Sequence, residues 1–236
     1  METILLLGRD HTELGDAATE TVGPVSAALT RGRHPKAFPY TEPNEDALCA
    51  AVTDEMVLLA VADGHHGTDA SHTAITKIAS TIPTLDRSQA AYEAVSLAAT
   101  AIVSLPVPTD APPGTTLTVV SITDATASFA GWGDSAAFHL RGRRLQPILD
   151  RKPVFGRSGD PTPPHIDQTT VPLQAGDLLG VATDGLFDFL PSPWPRTLGG
   201  LLADTDPTAG VARAVAAAGD GGGGDNLAIV VYQHCK

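Results

Sequence analysis

The sequence predicts an α+β fold in which antiparallel sheets lie in the middle and helices pack outside them. Two observations support this prediction. Apolar segments with helical periodicity fall into two clusters, whereas strand-like segments lie between the clusters and at the two ends of the chain. The 236 residues also include 23 glycines and 19 prolines, which favours many short elements joined by turns over a few long helices.

The first half of the chain combines strands with two helices. The run Ile4–Leu7 predicts a first strand over residues 3–8, and the mixed segment 13–41 is expected to consist mainly of turns. The polar triplet 53–55 separates two apolar runs, which is the pattern of a hairpin. Apolar residues then recur at helical spacing in two segments, and prolines follow the second. The predicted elements are strands Ala47–Val52 and Met56–Ala62 and helices Thr68–Ile82 and Ser88–Ser104.

The second half changes to strand-like periodicity. Three runs of β-branched or apolar residues follow one another closely with Gly or Asp at the joints, which indicates an antiparallel sheet. Residues 150–166 predict a loop, two helices are predicted between Pro195 and Ala218, and the glycine tract 221–224 predicts a turn. The predicted strands are Thr116–Thr123, Thr126–Trp132, Ala136–Arg141, Asp177–Thr183 and Leu227–Tyr232.

Composition limits the classes of function. The formal net charge of −12 argues against a nucleic-acid partner, because phosphate backbones recruit Lys and Arg. Cys49 and Cys235 fit neither a metal-ligand spacing nor a disulfide framework. The apolar run near the N-terminus is too short for a signal peptide, and no segment reaches the length of a membrane span. We therefore expect a protein of the reducing cytoplasm without membrane partners.

Four aspartates share one position, at the end of a predicted strand. These are Asp46, Asp63, Asp184 and Asp225, and Glu45 directly precedes the first. One such aspartate is usually part of a turn, but four that converge would repel one another strongly unless cations neutralised them. Oxygen-only ligation suits hard divalent ions such as magnesium and manganese. The sequence therefore predicts a divalent-metal site formed by strand ends.

Six short motifs contain or accompany these acidic residues: Asn44–Ala47, Val61–His65, Pro113–Leu117, Gly133–Ser135, Thr183–Asp188 and Gly224–Asn226. Their order resembles that of the metal-dependent protein phosphatases, the type 2C serine/threonine family. The resemblance covers about residues 40–233 and implies a single catalytic domain over 1–236, with 1–39 as an N-terminal strand and variable region. The implied fold is a four-layer α-β-β-α sandwich with two antiparallel sheets flanked by helix pairs.

The resemblance also implies two divalent cations, manganese or magnesium, at the aspartate site. Bacterial members often hold a third, for which Asp110 is the candidate here, with a solvated loop residue as the alternative. The implied ligands are Asp63 as the bridge, Asp184 and Asp225 on the first metal, and Glu45, Asp46 and the carbonyl oxygen of Gly64 on the second.

The chemistry implied by the resemblance is hydrolysis of a phosphate monoester. A hydroxide between the two metals would attack phosphorus in line, and His65 would give a proton to the leaving alkoxide. His66 stands where the family commonly has glycine and is expected to be an exposed loop residue. Asp134 and Asp188 are expected to be hydrogen-bonding scaffold residues and not ligands.

One feature departs from the family pattern. Many members carry an arginine shortly before the Glu-Asp pair to bind the substrate phosphate, whereas residues 38–43 contain none. Arg33 is our candidate for this role, with Arg31 and Lys36 as alternatives. The flap beside the active site of the family would fall between residues 149 and 167.

The implied function is metal-dependent hydrolysis of phosphoserine and phosphothreonine monoesters on proteins. We expect a monomer whose partners are phosphoprotein substrates, including a serine/threonine kinase or its targets, and composition favours a bacterial source with a GC-rich genome. Two alternatives stay open. One is a catalytically inactive phosphatase-like binding module, although such proteins usually lose the metal aspartates that this chain keeps. The other is a phosphatase for a small molecule or a different phosphorylated side chain.

Overall fold

A computed structural model of the protein describes residues 1–36, 43–107, 111–149, 152–203 and 206–235. In chain order, the strands are β1 (Glu2–Leu7), β2 (Ala17–Val22), β3 (Val25–Thr30), β4 (Ala47–Val52), β5 (Val57–Ala62), β6 (Gly64–His65), β7 (Gly114–Thr115), β8 (Leu117–Thr123), β9 (Thr126–Trp132), β10 (Ala136–Arg141), β11 (Arg144–Pro147), β12 (Gly156–Arg157), β13 (Asp167–Pro172), β14 (Leu178–Ala182) and β15 (Leu227–Gln233). The helices are α1 (Asp69–Thr81), α2 (Ala90–Val103), α3 (Asp184–Phe187), α4 (Trp194–Leu202) and α5 (Pro207–Asp220).

Two six-stranded antiparallel sheets form the centre of the fold. The first has the order β1-β4-β5-β8-β9-β13, and the second has the order β11-β10-β14-β15-β3-β2. A small third sheet joins β12, β7 and β6 beside the first. The prediction of two antiparallel sheets with helices outside is therefore confirmed.

Three apolar layers hold the sandwich together. Ile75 and Ile78 of α1 pack, together with α2, on the outer face of the first sheet. Leu59 and Leu179 lie between the two sheets, and Phe138 lies between the second sheet and the helices α3 to α5. Burial of one side chain of this size contributes about 1.5–3 kcal/mol to folding, so the layers together supply the main stabilisation.

The strand β5 shows why the sequences of the central strands are apolar at every position. Leu58 and Ala60 point to the helix side of the first sheet, whereas Leu59 and Val61 point to the second sheet. Since successive side chains of a strand point to opposite faces, a strand covered on both faces needs apolar residues at every position. All six residues of β5 are buried.

The structure contains several of the predicted elements. They are the hairpin of β4 and β5, the helices α1 and α2, and the helix pair α4 and α5. The expectation that residues 13–41 consist mainly of turns is wrong, because this segment contains β2 and β3. The strand β3 is rich in Ala and Ser, which have weak strand propensity, and its burial comes from packing in the second sheet. The predictions also missed the short or exposed strands β11 and β13, which form sheet edges.

The longest of the described helices have 14 residues, and none of them is long and apolar enough to cross a bilayer.

The acidic residues singled out in the sequence lie at one end of the sandwich. Ala47 at the start of β4 pairs with Ala62 at the end of β5, so the residues that flank this pair leave the first sheet at the same end of the strands. The end of β14 and the start of β15 form the corresponding end of the second sheet, through the pair Ala182 and Ile229.

Candidate metal centre

Three carboxylates that lie near the ends of three strands meet at this end of the sandwich. Asp63 follows β5, Asp134 lies in the turn between β9 and β10, and Asp184 follows β14. One oxygen from each lies within 4.8 Å of the other two, and all three residues are half-buried. The rigid strands fix these positions, so the convergence of aspartates at strand ends occurs in the structure.

Further acidic side chains lie beside this cluster. Glu45 and Asp46, at the entry to β4, are each only 1% exposed. The Lys36 ammonium lies 3.2 Å from Glu45 Oε2 and 3.0 Å from Asp225 Oδ1. It therefore connects Glu45 with Asp225, which lies two residues before β15. The site therefore combines several carboxylates with one lysine in a small, partly buried volume.

The electrostatics of the carboxylates show the cost of this arrangement. Burial raises the pKa of Asp46 from 3.8 to about 8, although Lys36 and the hydroxyl of Thr183 act in the opposite direction. Burial, with the neighbouring Asp46 and Asp184, also raises the pKa of Asp63 well above its ordinary value. Buried carboxylates that must stay charged require a compensating cation, and Lys36 supplies a single positive charge.

The residues present fit divalent cations. Among the residues that the structure describes, nothing hydrogen-bonds to the buried Oδ1 of Asp46, although burying an oxygen without a partner is costly. Three converging carboxylates lie in the same site, and two of them, Asp63 and Asp184, interact electrostatically with Asp46. An all-oxygen donor set of this kind suits magnesium or manganese better than softer metals.

Hydroxyl groups on both sheets hold the carboxylates in place. Thr183 Oγ1 donates to Asp46 Oδ2 at 2.7 Å and accepts from the Ala228 backbone N–H at 2.8 Å. On the first sheet, Thr116 Oγ1 accepts from the Asp63 N–H at 3.1 Å, and Thr115 Oγ1 donates to the Asp63 carbonyl oxygen at 2.8 Å. These buried threonines fix the backbone and side chains of the acidic residues from behind.

Asn226 ties the second sheet to the entry of β4. Its Oδ1 accepts from the Glu45 N–H at 2.9 Å, and its Nδ2 donates to the carbonyl oxygens of Arg31 (3.1 Å) and Pro43 (3.0 Å). The side chain thus uses its acceptor and both donors within a fully buried site. The sequence motif contained this residue, but its role as a bridge between distant segments required the structure.

Two glycines allow the chain segments to approach each other at the site. A Cβ at Gly185 would lie 1.8 Å from the Asn226 carbonyl oxygen, and one at Gly64 would lie 2.5 Å from the Glu45 carbonyl oxygen. Any side chain at either position would therefore push the strand ends apart. The glycines after Asp63 and Asp184 are thus required by packing within the site.

Comparison with known proteins gives a fold but no sequence relative. No protein-family model and no curated protein matches the chain. Among solved structures, the PPM Ser-Thr phosphatase MsPP from Mycobacterium smegmatis, in complex with cacodylate, has a TM-score of 0.74 at 23% identity, over 94% of this chain and 99% of that chain. The serine/threonine phosphatase of S. agalactiae has a TM-score of 0.74 at 19% identity, over 89% of this chain and 100% of that chain.

A third structure is the catalytic domain of the serine threonine protein phosphatase PstP in complex with two manganese ions. It has a TM-score of 0.69 at 22% identity, over 90% of this chain and 99% of that chain. The chain has the PPM phosphatase fold. The four-layer sandwich implied by the motifs of the sequence is therefore confirmed at the level of architecture.

His65 lies beside the carboxylates in the PPM fold, on the small third sheet. Its ring stacks on Phe155 with 4.8 Å between centroids and 19° between planes, and His66 contacts it from the other side. Burial and the neighbouring His66 lower the pKa of His65 from 6.5. The stacking fixes the plane of the imidazole at the edge of the site. His66 is half-buried and has a positive φ of 64°, a conformation that glycine adopts without strain.

The structure also places the remaining predicted residues. The Arg33 guanidinium pairs with Asp220 at 2.6 Å on the surface, whereas the Lys36 ammonium contacts Glu45 and Asp225. Arg31 donates to the Thr12 carbonyl oxygen at 2.7 Å. Asp110 lies outside the described residues.

Asp134 is an acidic residue that the sequence analysis did not group with the others. It was expected to be a scaffold residue, and in the structure its carboxylate lies with those of Asp63 and Asp184. A local signal was present in the chain, because Asp134 comes two residues after the end of β9, much as Asp63 directly follows β5. Asp188, the other expected scaffold residue, is exposed at the end of α3.

Proposed function

We propose that the protein is a metal-dependent phosphatase that hydrolyses phosphoserine and phosphothreonine monoesters on proteins. The observation that carries this proposal is the convergence of the Asp63, Asp134 and Asp184 carboxylates within 4.8 Å of one another, beside the buried Asp46. The PPM fold supports the same reading, since the matched structures are serine/threonine phosphatases over nearly their full length.

Two or three divalent cations, manganese or magnesium, would be held by this site. Such cations supply positive charge that lowers the pKa of water and stabilises the phosphoryl oxygens during displacement. Asp134 is a further candidate ligand, because its carboxylate belongs to the cluster. The proposed ligands are Asp63, Asp134, Asp184, Asp225, Glu45, Asp46 and the carbonyl oxygen of Gly64.

The residues of the chain have distinct parts in the proposed reaction. Thr183 holds the Asp46 carboxylate and Thr116 holds the Asp63 backbone, so that charge is already arranged before substrate binds. His65, whose ring stacks on Phe155, would give a proton to the leaving oxygen of the serine or threonine. A poor leaving group such as an alkoxide depends on that proton.

The first experiment measures turnover of p-nitrophenyl phosphate and of phosphoserine peptides with manganese or magnesium. We expect activity that requires the metal and that EDTA abolishes, and Asp184→Asn should remove it while the fold persists. Asp124→Asn is the matched control, because it makes the same chemical change in the turn between β8 and β9, at the opposite end of the sandwich. Absence of turnover over a range of metals and pH, with metal still bound, would favour a binding module.

A second experiment tests His65 through the leaving group. His65→Ala should lower turnover of a phosphoserine peptide by about 100-fold or more, within the range of general acid catalysis. Turnover of p-nitrophenyl phosphate should fall much less, because p-nitrophenolate leaves without a proton. Equal losses on the two substrates would show that His65 does not act as the proton donor.

The finer assignments belong to the same proposal. A bacterial source is supported by the bacterial origin of matched structures, and a cytoplasmic location is supported by two free cysteines. The proposal also includes a monomer that acts on a serine/threonine kinase or its targets. Phosphoproteomics of a deletion strain would identify the substrates. Accumulation of a phosphorylated small molecule, with phosphoproteins unchanged, would instead support the small-molecule alternative.

A further inference from the structure

The Lys36 ammonium is the cation that the structure places in the acidic site. Its side chain is only 15% exposed, although lysine side chains usually extend into water. The nitrogen lies 3.0 Å from Asp225 Oδ1 and 3.2 Å from Glu45 Oε2, so it forms a bridge between two proposed metal ligands. A surface lysine that only improves solubility would not occupy this position.

The hydrogen bonds of Glu45 show what Lys36 occupies. Glu45 Oε1 accepts from the Gly67 backbone N–H, and Oε2 contacts Lys36. Both oxygens of this carboxylate therefore already have a donor. Asp225 Oδ1 is likewise shared between Lys36 and the Asn226 N–H at 2.8 Å. A divalent cation that used Glu45 as a ligand would approach Oε2 from the region in which the ammonium lies.

The surrounding charge explains why the ammonium is held there. Burial alone would lower the pKa of Lys36, but Asp225, Asp46, Asp63 and Glu45 together raise it above its ordinary value of 10.5. The ammonium thus neutralises part of the charge that a metal would otherwise neutralise. Two cations that bind the same oxygens repel each other, so binding of one disfavours binding of the other.

We propose that Lys36 is a built-in competitor of the divalent cation for the oxygens of Glu45 and Asp225, and that it sets the metal concentration at which the centre fills. This inference rests on the metal site of the proposed function. Metal binding then requires the ammonium to leave Glu45, whereas the metal-free centre keeps a compensating charge. The same lysine lowers the affinity for the metal and preserves the acidic site without it.

Calorimetric titration of the full chain with manganese tests the competition directly. Lys36→Gln removes the charge and should lower the Kd for manganese by about tenfold. Lys36→Arg keeps the charge and should bind manganese with nearly the wild-type Kd. Lys77→Gln, on α1, makes the same change in net charge away from the carboxylates and should also leave the Kd near wild type.

Amine labelling followed by mass spectrometry gives a second measurement that does not depend on activity. Without metal, Lys36 should react with an N-hydroxysuccinimide ester more slowly than Lys77, because its ammonium is paired and partly buried. Saturating manganese should increase labelling of Lys36 and leave Lys77 unchanged. This readout uses the wild-type chain, so it holds even if a variant at position 36 folds poorly.

The outcomes separate this inference from the proposed function. If the wild-type chain does not bind manganese, the metal centre itself is wrong. If the wild type binds manganese but Lys36→Gln has an unchanged or higher Kd, and Lys36 labelling does not increase with metal, the centre stands and the competition is wrong. A lower Kd for Lys36→Gln but not for Lys77→Gln, with increased labelling of Lys36, supports the competition.

Discussion

Two buried aspartates at opposite ends of the sandwich have opposite electrostatics. Asp177 directly precedes β14, whereas Asp46 accepts a hydrogen bond from Thr183, which directly follows that strand. The five residues of β14 span roughly 17 Å. Each is only 1% exposed. Burial raises the pKa of Asp46 to about 8, whereas the pKa of Asp177 is held below its ordinary value of 3.8.

The difference lies in the donors around each carboxylate. Burial alone would raise the pKa of Asp177, but the Arg141 guanidinium donates to both of its oxygens, at 2.9 and 2.7 Å, and the Gln174 N–H adds a bond at 2.8 Å. His139 Nε2 also lies 2.9 Å from Asp177 Oδ2. Within the described residues, Asp46 has Thr183 as its side-chain donor and an Oδ1 without a partner.

This comparison teaches that burial does not by itself separate a structural aspartate from a functional one. A carboxylate whose oxygens are saturated by donors of the chain is complete, and it stabilises the fold. A carboxylate that is buried among other carboxylates with too few donors is incomplete, and it depends on a cation from outside the chain. Substitutions at the two ends should therefore have opposite effects on stability and activity.

The largest effect is expected for Asp63→Asn. Removal of the central carboxylate should lower phosphatase activity by more than about 100-fold, because loss even of an outer-shell partner typically costs 10–100-fold. The metal-free variant should nevertheless melt at a higher temperature than the wild type, since one of several mutually repelling charges is gone. Activity assays and thermal unfolding in EDTA measure the two effects. A lower melting temperature in EDTA would mean that the site is not electrostatically strained.

The opposite outcome is expected for Asp177→Asn. Replacing this carboxylate leaves Arg141 without its ion pair, and we expect a loss of about 2 kcal/mol in the free energy of unfolding. Metal binding and activity should stay near wild type, because the residue lies at the far end of β14. Urea denaturation and manganese titration check the two statements. A loss of activity without a loss of stability would contradict the structural role of Asp177.

The pH dependence of stability gives the matched control for this variant. The folded-state pKa of Asp177 lies below 3.8, so its contribution is fully present above pH 3.8 and is lost as the pH falls below that value. Asp177→Asn lacks this contribution at every pH. The difference in stability between wild type and variant should therefore shrink as the pH is lowered below about 3.8, and a difference that stays constant would show that the ion pair is not its source.

The same comparison explains what the sequence could predict. Asp63 and Asp184 were identified because each follows an apolar strand and precedes a glycine, a pattern that is local in the chain. Many strands and both helix pairs followed from periodicity in the same way, whereas the arrangement in two sheets was implied by the resemblance. Asp177 precedes a strand, as Asp46 and Asp225 do, and nothing local distinguishes it from those two.

What the sequence could not predict depends on partners that are distant along the chain. Asp177 differs from Asp46 because Arg141 lies 36 residues before it in the adjacent strand β10. Lys36 was one of three basic candidates, and only the folded chain places its ammonium between Glu45 and Asp225. The strand β3 was missed for the same reason, since its six buried residues owe their conformation to the neighbours β2 and β15.

The smallest effect is expected for Arg33→Ala. Its ion pair with Asp220 is exposed on both sides, with side-chain exposures of 46% and 73%, unlike the pair of Arg141 with the buried Asp177. Exposed pairs of this kind contribute about 0.5 kcal/mol or less, so unfolding should change little. Because the guanidinium is engaged with Asp220, the KM for p-nitrophenyl phosphate should stay within about twofold of the wild type. An increase of about tenfold in KM, with stability unchanged, would instead identify Arg33 as the phosphate-binding residue that the sequence suggested.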